Sequence, residues 1–131
     1  MQDKFRESEM KTVIRKGIKG SRGSWEAEVP YTDGTKERLP CVHKHYRRTG
    51  PAGFCYHEPR ENFGDSVKRE KHIGLIREKE CVVLTEDSVD ESKHPALLKR
   101  KGYVGVFSIV DFVFDDVNGM RFRFVDRFPE R

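Results

Sequence analysis

The chain has 131 residues, of which 37% are charged, and its formal net charge is +4 at pH 7. This length supports one domain with a hydrophobic core and is too short for two. The near balance of charge excludes a histone-like polycation, and no apolar run approaches the roughly twenty residues that span a bilayer. We therefore divide the chain into a flexible N-terminal segment, residues 1–10, and a single β-rich domain, residues 11–131.

The three cysteines are unevenly spaced, and an odd number does not form a closed disulfide framework. Free thiols suit a reducing compartment. The N-terminus, MQDKFRESEM, is polar and lacks the apolar centre of a secretory signal. These features predict a cytoplasmic protein.

Residues 11–23 (KTVIRKGIKGSRG) combine five basic residues with three glycines and no carboxylate. Glycines let the backbone approach a ligand closely, and N–H groups surrounded by Lys and Arg form a concavity that suits phosphate. This pattern predicts an anion-binding loop that uses Arg15, Lys16, Lys19 and Arg22. The alternative is a solvated segment, because runs of charge usually face water.

A β-hairpin is predicted next. Over residues 25–29, apolar side chains alternate with glutamates, which is typical of a strand with one buried face. A turn follows at residues 32–35 (TDGT), and residues 36–46 form the return strand. Pro40 cannot donate a backbone hydrogen bond, so we expect it at a sheet edge or a bulge.

Two stretches are predicted as loops. Residues 47–66 hold three glycines and two prolines, which indicates a long loop with a short extended piece at residues 54–57. Residues 86–94 form an acidic loop, and residues 95–101 form a helical turn that ends at Gly102.

Between these loops the sequence predicts a helix and a strand. Asp65 or Ser66 can cap a helix that runs to about residue 79. Its predicted core-facing residues are Val67, Ile73 and Ile76. The apolar run at residues 81–85 (CVVLT) then predicts a short buried strand.

A second hairpin is predicted in the last third of the chain. Residues 103–114 are rich in Val, Ile and Phe, and Asn118 with Gly119 is a strong signal for a tight turn. Residues 120–128 then alternate between apolar and mostly basic side chains. This pattern predicts a hairpin with one core face and one basic face.

The first part of that hairpin is predicted to be a central strand. Both faces of residues 103–110 are apolar, and Gly105 permits a bend or a close backbone contact. We expect the apolar positions of the predicted strands to share one core. Its predicted members are Trp25, Val29, Cys81, Val83, Val106, Ile109, Phe122 and Phe124.

Two C-x-H groups make a candidate metal site. Residues two apart on a strand share a face, so Cys41, His43 and His45 would point the same way. Cys55 and His57 on a nearby strand would complete a tetrahedral site for zinc. Paired zinc ligands are usually two to four residues apart, so the alternative is a buried Cys41 with histidines that line a groove.

Two further catalytic arrangements have no supporting motif. One is a cysteine nucleophile, Cys41 or Cys55, beside a histidine, and the other is a carboxylate pair, Glu58 with Glu61. Most acidic residues have Lys or Arg neighbours, which is typical of a solvated surface. The sequence therefore favours a binding protein over an enzyme.

Basic and aromatic residues interleave in the segment around residues 45–57. A positive groove with rings on which bases stack is typical of single-stranded nucleic-acid binding. We expect Phe54 to be buried and the polar tips of Tyr46, Tyr56 and His57 to face a ligand. Because this segment and residues 11–23 bracket the first hairpin, we expect one anion-binding face. Its predicted ligand-binding residues are Arg15, Lys16, Lys19, Arg22, Tyr46, Arg47, Arg48, Tyr56 and His57.

The strand sequences VVLT, GYVGVFSIVDFVF and MRFRFVDRF resemble the closing strands of PUA-like small barrels, the group that includes EVE and ASCH domains. That resemblance implies a role in binding RNA or a modified nucleobase in a pocket between the barrel and its helices. We predict an α+β fold, built as a strongly bent antiparallel sheet or partly open small β-barrel with one or two short helices. The predicted function is non-catalytic binding of nucleic acid or a nucleotide-like anion. The alternatives are a zinc-stabilised domain or small metal-dependent enzyme that uses the Cys/His cluster, and a protein-interaction module.

Overall fold

The computed structural model describes residues 10–20, 25–50, 53–62, 67–90, 92 and 97–131. These residues form one eight-stranded sheet and one α-helix, which makes the fold an α+β fold. The strands are β1 (Lys19–Gly20), β2 (Glu26–Pro30), β3 (Lys36–His43), β4 (Arg47–Gly50), β5 (Gly53–Glu58), β6 (Cys81–Asp90), β7 (Leu97–Asp115) and β8 (Gly119–Arg127). The helix α1 is Val67–Lys79, and 3₁₀ turns lie at Arg15–Gly17, Lys44–Tyr46 and Arg60–Asn62. The predicted flexible segment, apart from Met10, lies outside the described residues, as does Arg22.

The strands follow the order β1-β2-β3-β6-β7-β8-β5-β4 across the sheet. Strands β3 and β6 pair in parallel, and the other described neighbours pair antiparallel. Strands β1 and β4 are the two edges, so the sheet is not closed by pairing among the described residues.

Both predicted hairpins are confirmed, as β2 with β3 and β7 with β8. At the first turn, the Asp33 carboxylate accepts a hydrogen bond of 2.9 Å from the Thr35 backbone N–H. At the second turn, Gly119 has φ +80°, and a Cβ there would lie 2.2 Å from the carbonyl oxygen of Glu58. Glycine is therefore required at position 119 both by its φ and by the close approach of β5.

Pro40 does not lie on an edge strand, contrary to the prediction. Its pairing with Glu26 is the last between β3 and β2, and the pairing of β3 with β6 begins at Cys41. Proline is tolerated here because the next residue, Cys41, donates the backbone hydrogen bond to the Trp25 carbonyl at 2.7 Å, and the pairing with β6 does not yet include position 40.

Two loop predictions are wrong. Most of residues 47–58 form the hairpin of β4 and β5, and β5 pairs further with β8. Likewise, β6 extends beyond residue 85 to Asp90 and pairs with residues 97–103, which were predicted to begin as a helical turn. For β5 the further partner, β8, is distant in sequence, so the local glycines and prolines did not indicate a strand. Strand β6 pairs with β7, the next strand of the chain, and the charged residues after Thr85 did not indicate that pairing.

The core is divided into two clusters and is not the single predicted one. Alternate residues of β3 and β6 point to opposite faces, as Cys41 and Val42 show, and each face has its own cluster. Cluster A contains Val13, Ile18, Ala27, Val29, Tyr31, Leu39, Cys41, Val83, Val106 and Phe128. Cluster B contains Val42, Tyr46, Tyr56, Ile76, Val82, Leu84, Ile109, Met120 and Phe122.

Cluster A is covered by segments from both ends of the described chain. The Val13 N–H donates to the carbonyl of Pro129 at 2.8 Å, and the Arg131 N–H donates to the carbonyl of Val13 at 2.8 Å. Val13 and Phe128 are buried in the cluster. The segment of residues 129–131 is therefore held firmly against residues 13–15.

The predicted helix is confirmed as α1, and it packs on cluster B. Ile76 is fully buried there, and Ile73 packs against the cluster while partly exposed. Within the described part of the chain, no helix combines the length and apolar character needed to cross a membrane.

Candidate functional site

An apolar cleft of about 150 Å³ lies where cluster B meets solvent. Five neighbouring strands, β4 to β8, contribute to it. Its lining residues are Arg47, Phe54, Leu84, Val104, Phe107, Phe124 and Arg127. Phe54 is 50% exposed, which is unusual for a phenylalanine and leaves about half of its surface accessible. Among the described residues, two arginines and no carboxylate line the cleft, so it combines apolar walls with positive charge.

Strand alternation explains why the aromatic rings meet. Phe54 and Tyr56 are two apart on β5, and Phe122 and Phe124 are two apart on β8, so all four lie on the cluster B side. The rings of Tyr56 and Phe122 stack with centroids 4.7 Å apart, deep in the cluster. Phe54 and Phe124 extend the same row of aromatic rings from the interior of cluster B to the solvent-exposed cleft.

A β-bulge turns Arg127 into the cleft. Ile109 pairs with Phe124, and Phe107 pairs with Arg127, so two residues of β8 (125 and 126) face one residue of β7, Ser108. The extra residue reverses the alternation, and Arg127 lies on the same side as Phe124. The Asp126 N–H donates to the Ser108 hydroxyl at 3.1 Å beside this irregularity.

Both arginines of the cleft lie against aromatic rings. The Arg47 guanidinium carbon is 4.7 Å from the Phe54 ring centroid, and that of Arg127 is 5.7 Å from the Phe107 centroid. Arg127 also donates a hydrogen bond of 2.5 Å to the carbonyl of Val104. A Cβ at Gly105 would lie 3.0 Å from the Arg127 guanidinium, so Gly105 makes the close contact that was predicted, although with a side chain.

The aromatic residues of the predicted site have the opposite exposures to those expected. Phe54 is half exposed, whereas Tyr46 and Tyr56 are buried. The Tyr56 hydroxyl accepts from the His43 N–H at 3.3 Å and donates to Glu58 at 3.1 Å. Burial raises the pKa of Tyr56 well above its ordinary value of 10.0. The polar tips of both tyrosines bind within the protein, so neither ring is available to a ligand.

The predicted basic residues fall in two places. Lys19 lies on β1 and Arg48 lies on β4, which are opposite edges of the sheet, so the first hairpin does not join them. Lys16 is exposed in the 3₁₀ turn that begins at Arg15. Arg15 pairs with the carboxylate of Glu130, and Arg127, which lines the cleft, pairs with the same carboxylate. Arg127 is therefore the link between the N-terminal basic segment and the cleft.

The five predicted metal ligands do not come together. Strand β3 ends at His43, and the 3₁₀ turn at Lys44–Tyr46 takes His45 out of the alternation that the prediction assumed. Cys41 is buried in cluster A, while Cys55 and His57 alternate with Tyr56 and so lie on the other face of β5. Over the ranges that the structure describes, no three His, Cys, Asp or Glu side chains are grouped to hold a metal ion.

His43 has a partner that the sequence did not indicate. Its Nδ1 lies 3.2 Å from Asp87, whose side chain is 1% exposed. The Thr85 hydroxyl donates to the same carboxylate at 3.0 Å. His57, in turn, has Nε2 at 2.8 Å from the carbonyl of Asn118. Each of these histidine rings therefore has a polar partner within the protein.

Sequence reasoning missed Arg127 and Phe107 as residues of the site. Arg127 was assigned to the basic face by simple alternation, which the bulge in β8 interrupts, and no local sequence signal marks that bulge. Phe107 lies in a run that is apolar on both faces, so its sequence context did not distinguish it from a core residue. No protein-family model, curated protein or solved structure matches this chain. Function is therefore inferred from the contacts and charges of these residues alone.

Helix α1 carries a buried histidine, His72, which is 2% exposed. His72 of α1 has Nε2 at 2.8 Å from the carbonyl of Cys41, and its ring packs edge-on against Trp25 with centroids 5.4 Å apart. Burial, and then the positive charge of Arg69, lower the pKa of His72 from 6.5 to about 3. The neutral ring therefore donates its Nε2–H to Cys41.

The protein is expected to lose stability as the pH falls from 7 to 5. In that range the unfolded chain binds a proton at His72 and the folded chain does not, so the free energy of unfolding falls by about 1.4 kcal/mol per pH unit below pH 6.5. The expected loss is about 2 kcal/mol between pH 7 and pH 5. Urea unfolding at several pH values measures it. His72→Gln should flatten the dependence, whereas the control His57→Gln should not, and equal slopes in the two variants would contradict the assignment.

Proposed function

We propose that this protein binds single-stranded nucleic acid or a nucleotide-like anion without catalysis, holding one base in the aromatic cleft. The observation that carries the proposal is the half-exposed ring of Phe54 in a cleft that two arginines, Arg47 and Arg127, also line. An apolar cavity of about 150 Å³ holds one benzene-sized ring. The cleft has that volume, so it suits a single nucleobase.

The chemistry of the lining favours this kind of ligand. Every base has a π-face, so stacking on Phe54 or Phe124 does not depend on sequence. The guanidinium groups of Arg47 and Arg127 can reach phosphate oxygens and can also stack on a base. Exposed basic side chains on the neighbouring edge and outer face of the sheet would track the rest of a strand. They are Arg48, Arg121 and Arg123.

We further propose that the curled sheet is a partly open small β-barrel of the PUA-like kind. Cluster B would be its interior, with α1 covering one side and the cleft opening the other. Support comes from the hydrogen bond that His43 donates to the Tyr56 hydroxyl, because it joins β3 to β5 across cluster B. Three strands, β6, β7 and β8, separate β3 from β5 along the sheet.

Variants of the cleft should separate stacking from charge. Phe54→Ala is expected to cost about 1–3 kcal/mol of binding free energy with the salt dependence almost unchanged, because it removes a stacking ring. Arg47→Ala and Arg127→Ala should each reduce the salt slope by roughly 0.7 for a single strand, because each removes one phosphate contact. Fluorescence anisotropy with a labelled ten-nucleotide RNA, the matching DNA and the duplex, over a salt series, measures both effects.

Controls for these variants lie elsewhere on the surface. Val117→Ala removes an exposed apolar side chain at the turn of the second hairpin, and Arg38→Ala removes a guanidinium on β3. Neither should change affinity more than slightly. If the parent protein binds none of the three probes at low salt, the proposal is wrong and a protein-interaction role becomes the better hypothesis. If Phe54→Ala binds as the parent does, the cleft is not the site.

A further inference from the structure

One carboxylate is shared by two arginines beside the cleft. Glu130 Oε1 lies 3.1 Å from Arg15 Nη1, and Glu130 Oε2 lies 3.2 Å from Arg127 Nη2. The Glu130 side chain is 20% exposed, so it is partly enclosed by these partners. Two guanidinium groups around one carboxylate leave a net charge of +1 at this position, which remains attractive to a further anion.

The two arginines are held in place independently of Glu130. Arg15 donates to the carbonyl of Val104 at 2.8 Å and also to the carbonyl of Tyr103. Arg127 donates to the same Val104 carbonyl at 2.5 Å. Both guanidinium groups would therefore keep their positions if the carboxylate rotated away. A planar guanidinium fork binds phosphate oxygens in the same geometry as carboxylate oxygens.

The position of this pair relative to the cleft identifies what could bind there. Arg127 lines the cleft through its contact with Phe107 and also holds Glu130. An anion in place of the Glu130 carboxylate would thus lie next to a ring held in the cleft. A base and its phosphate are joined in one nucleotide and match this arrangement.

We infer that Arg15 and Arg127 form a phosphate subsite of the cleft, and that the Glu130 carboxylate occupies this subsite until a nucleotide phosphate displaces it. The inference rests on the proposed function. Main-chain hydrogen bonds hold residues 129–131 against Val13, so displacement is a rotation of the Glu130 side chain and not a movement of the segment. The carboxylate competes with the phosphate and so weakens binding in the parent protein.

Removing the competing charge should strengthen binding. Glu130→Gln is expected to raise the affinity for the ten-nucleotide RNA roughly three- to tenfold, because the phosphate no longer competes with a carboxylate for the two arginines; this is about the size of one ordinary hydrogen bond. It should also steepen the salt slope by roughly 0.7, because in the parent the displaced carboxylate takes up a counterion that offsets the one released by the phosphate. Glu26→Gln is the matched control: Glu26 pairs with Arg38 at 2.8 Å on β2 and β3, and its side chain is 24% exposed. That control should bind as the parent does.

Comparison with a second probe, adenosine 5′-monophosphate, distinguishes a terminal phosphate from an internal one. If Glu130→Gln gains affinity for adenosine 5′-monophosphate as well as for the RNA, the subsite accepts a terminal phosphate monoester. If only the RNA gains, it accepts an internal phosphodiester. Both results support the subsite, and no gain for either probe overturns it.

A second variant covers the case in which Glu130→Gln unfolds. Arg15→Gln should weaken RNA binding at least threefold, because it removes one of the two phosphate donors. Unchanged binding by Arg15→Gln would overturn the inference. The two proposals also fail in different ways. If Phe54→Ala weakens binding and Glu130→Gln matches Glu26→Gln, only the phosphate subsite is wrong; if the parent binds no probe, the proposed function is wrong too.

Discussion

Arg69→Met is expected to lower the free energy of unfolding by about 3–5 kcal/mol. The Arg69 guanidinium lies 2.6 Å from the Glu58 carboxylate, and the two side chains are 8% and 6% exposed. The same guanidinium lies over the Trp25 ring at 4.7 Å. Removing one partner of a buried pair leaves the other charge buried without its counterion, which is the costly case. Urea unfolding at pH 7 measures the loss.

Two further variants test this explanation. Arg38→Met breaks the pair with Glu26 on the surface, where the arginine side chain is 52% exposed, and should cost about 1 kcal/mol or less. Arg69→Met/Glu58→Gln removes the charge as well as its partner and keeps an oxygen that can accept from Tyr56. It should be more stable than Arg69→Met alone. A double variant with no such recovery would show that the pair does not act through charge.

Short-range signals were sufficient for the parts of the fold that the sequence predicted. The two hairpin turns carry Asp33 with Gly34 and Asn118 with Gly119, and both hairpins form as expected. Helix α1 follows from the spacing of Ile73 and Ile76. Each of these elements is specified by residues within one or two turns of chain, which local patterns describe well.

Long-range pairing explains the parts that the sequence did not predict. Strand β5 is stabilised by pairing with β8, more than sixty residues later, through contacts such as Tyr56 with Phe122. The local sequence shows only the glycines and prolines that flank β5, and these indicated a loop. The single predicted core failed for a related reason. Val82 and Val83 are both apolar, and only the covering segments, α1 on one face and residues 10–18 on the other, show that two clusters exist.

The candidate site depends on a feature that simple periodicity excludes. Alternation from Phe122 places Arg127 on the outer face, and the bulge beside Ser108 reverses that placement. Burial was misassigned as well, because a tyrosine hydroxyl can be satisfied internally, as Tyr56 is by Glu58 and His43. The type of residue suggested an aromatic and basic site, and the tertiary structure decided which rings and which arginines form it.

Phe122→Ala is expected to lower the free energy of unfolding by about 3–5 kcal/mol, as truncation of a buried aromatic side chain does. Phe122 is 2% exposed in cluster B. Its ring stacks on Tyr56 and meets Phe124 edge-on with centroids 5.3 Å apart. The truncation leaves a cavity between β5, β7 and β8 that their paired backbones cannot close. The melting temperature should fall by roughly 10–20 °C.

Phe54→Ala is the matched control for this variant, since it makes the same truncation two residues from Tyr56 on the neighbouring strand. Phe54 is 50% exposed, so its loss should cost less than about 1 kcal/mol of stability. The two variants should therefore lose different properties: Phe122→Ala should lose stability, and Phe54→Ala should lose affinity for the RNA probe. A melting temperature unchanged by Phe122→Ala would remove Phe122 from the core. Equal losses of stability in both variants would mean that Phe54 is part of cluster B and is not an accessible wall of the cleft.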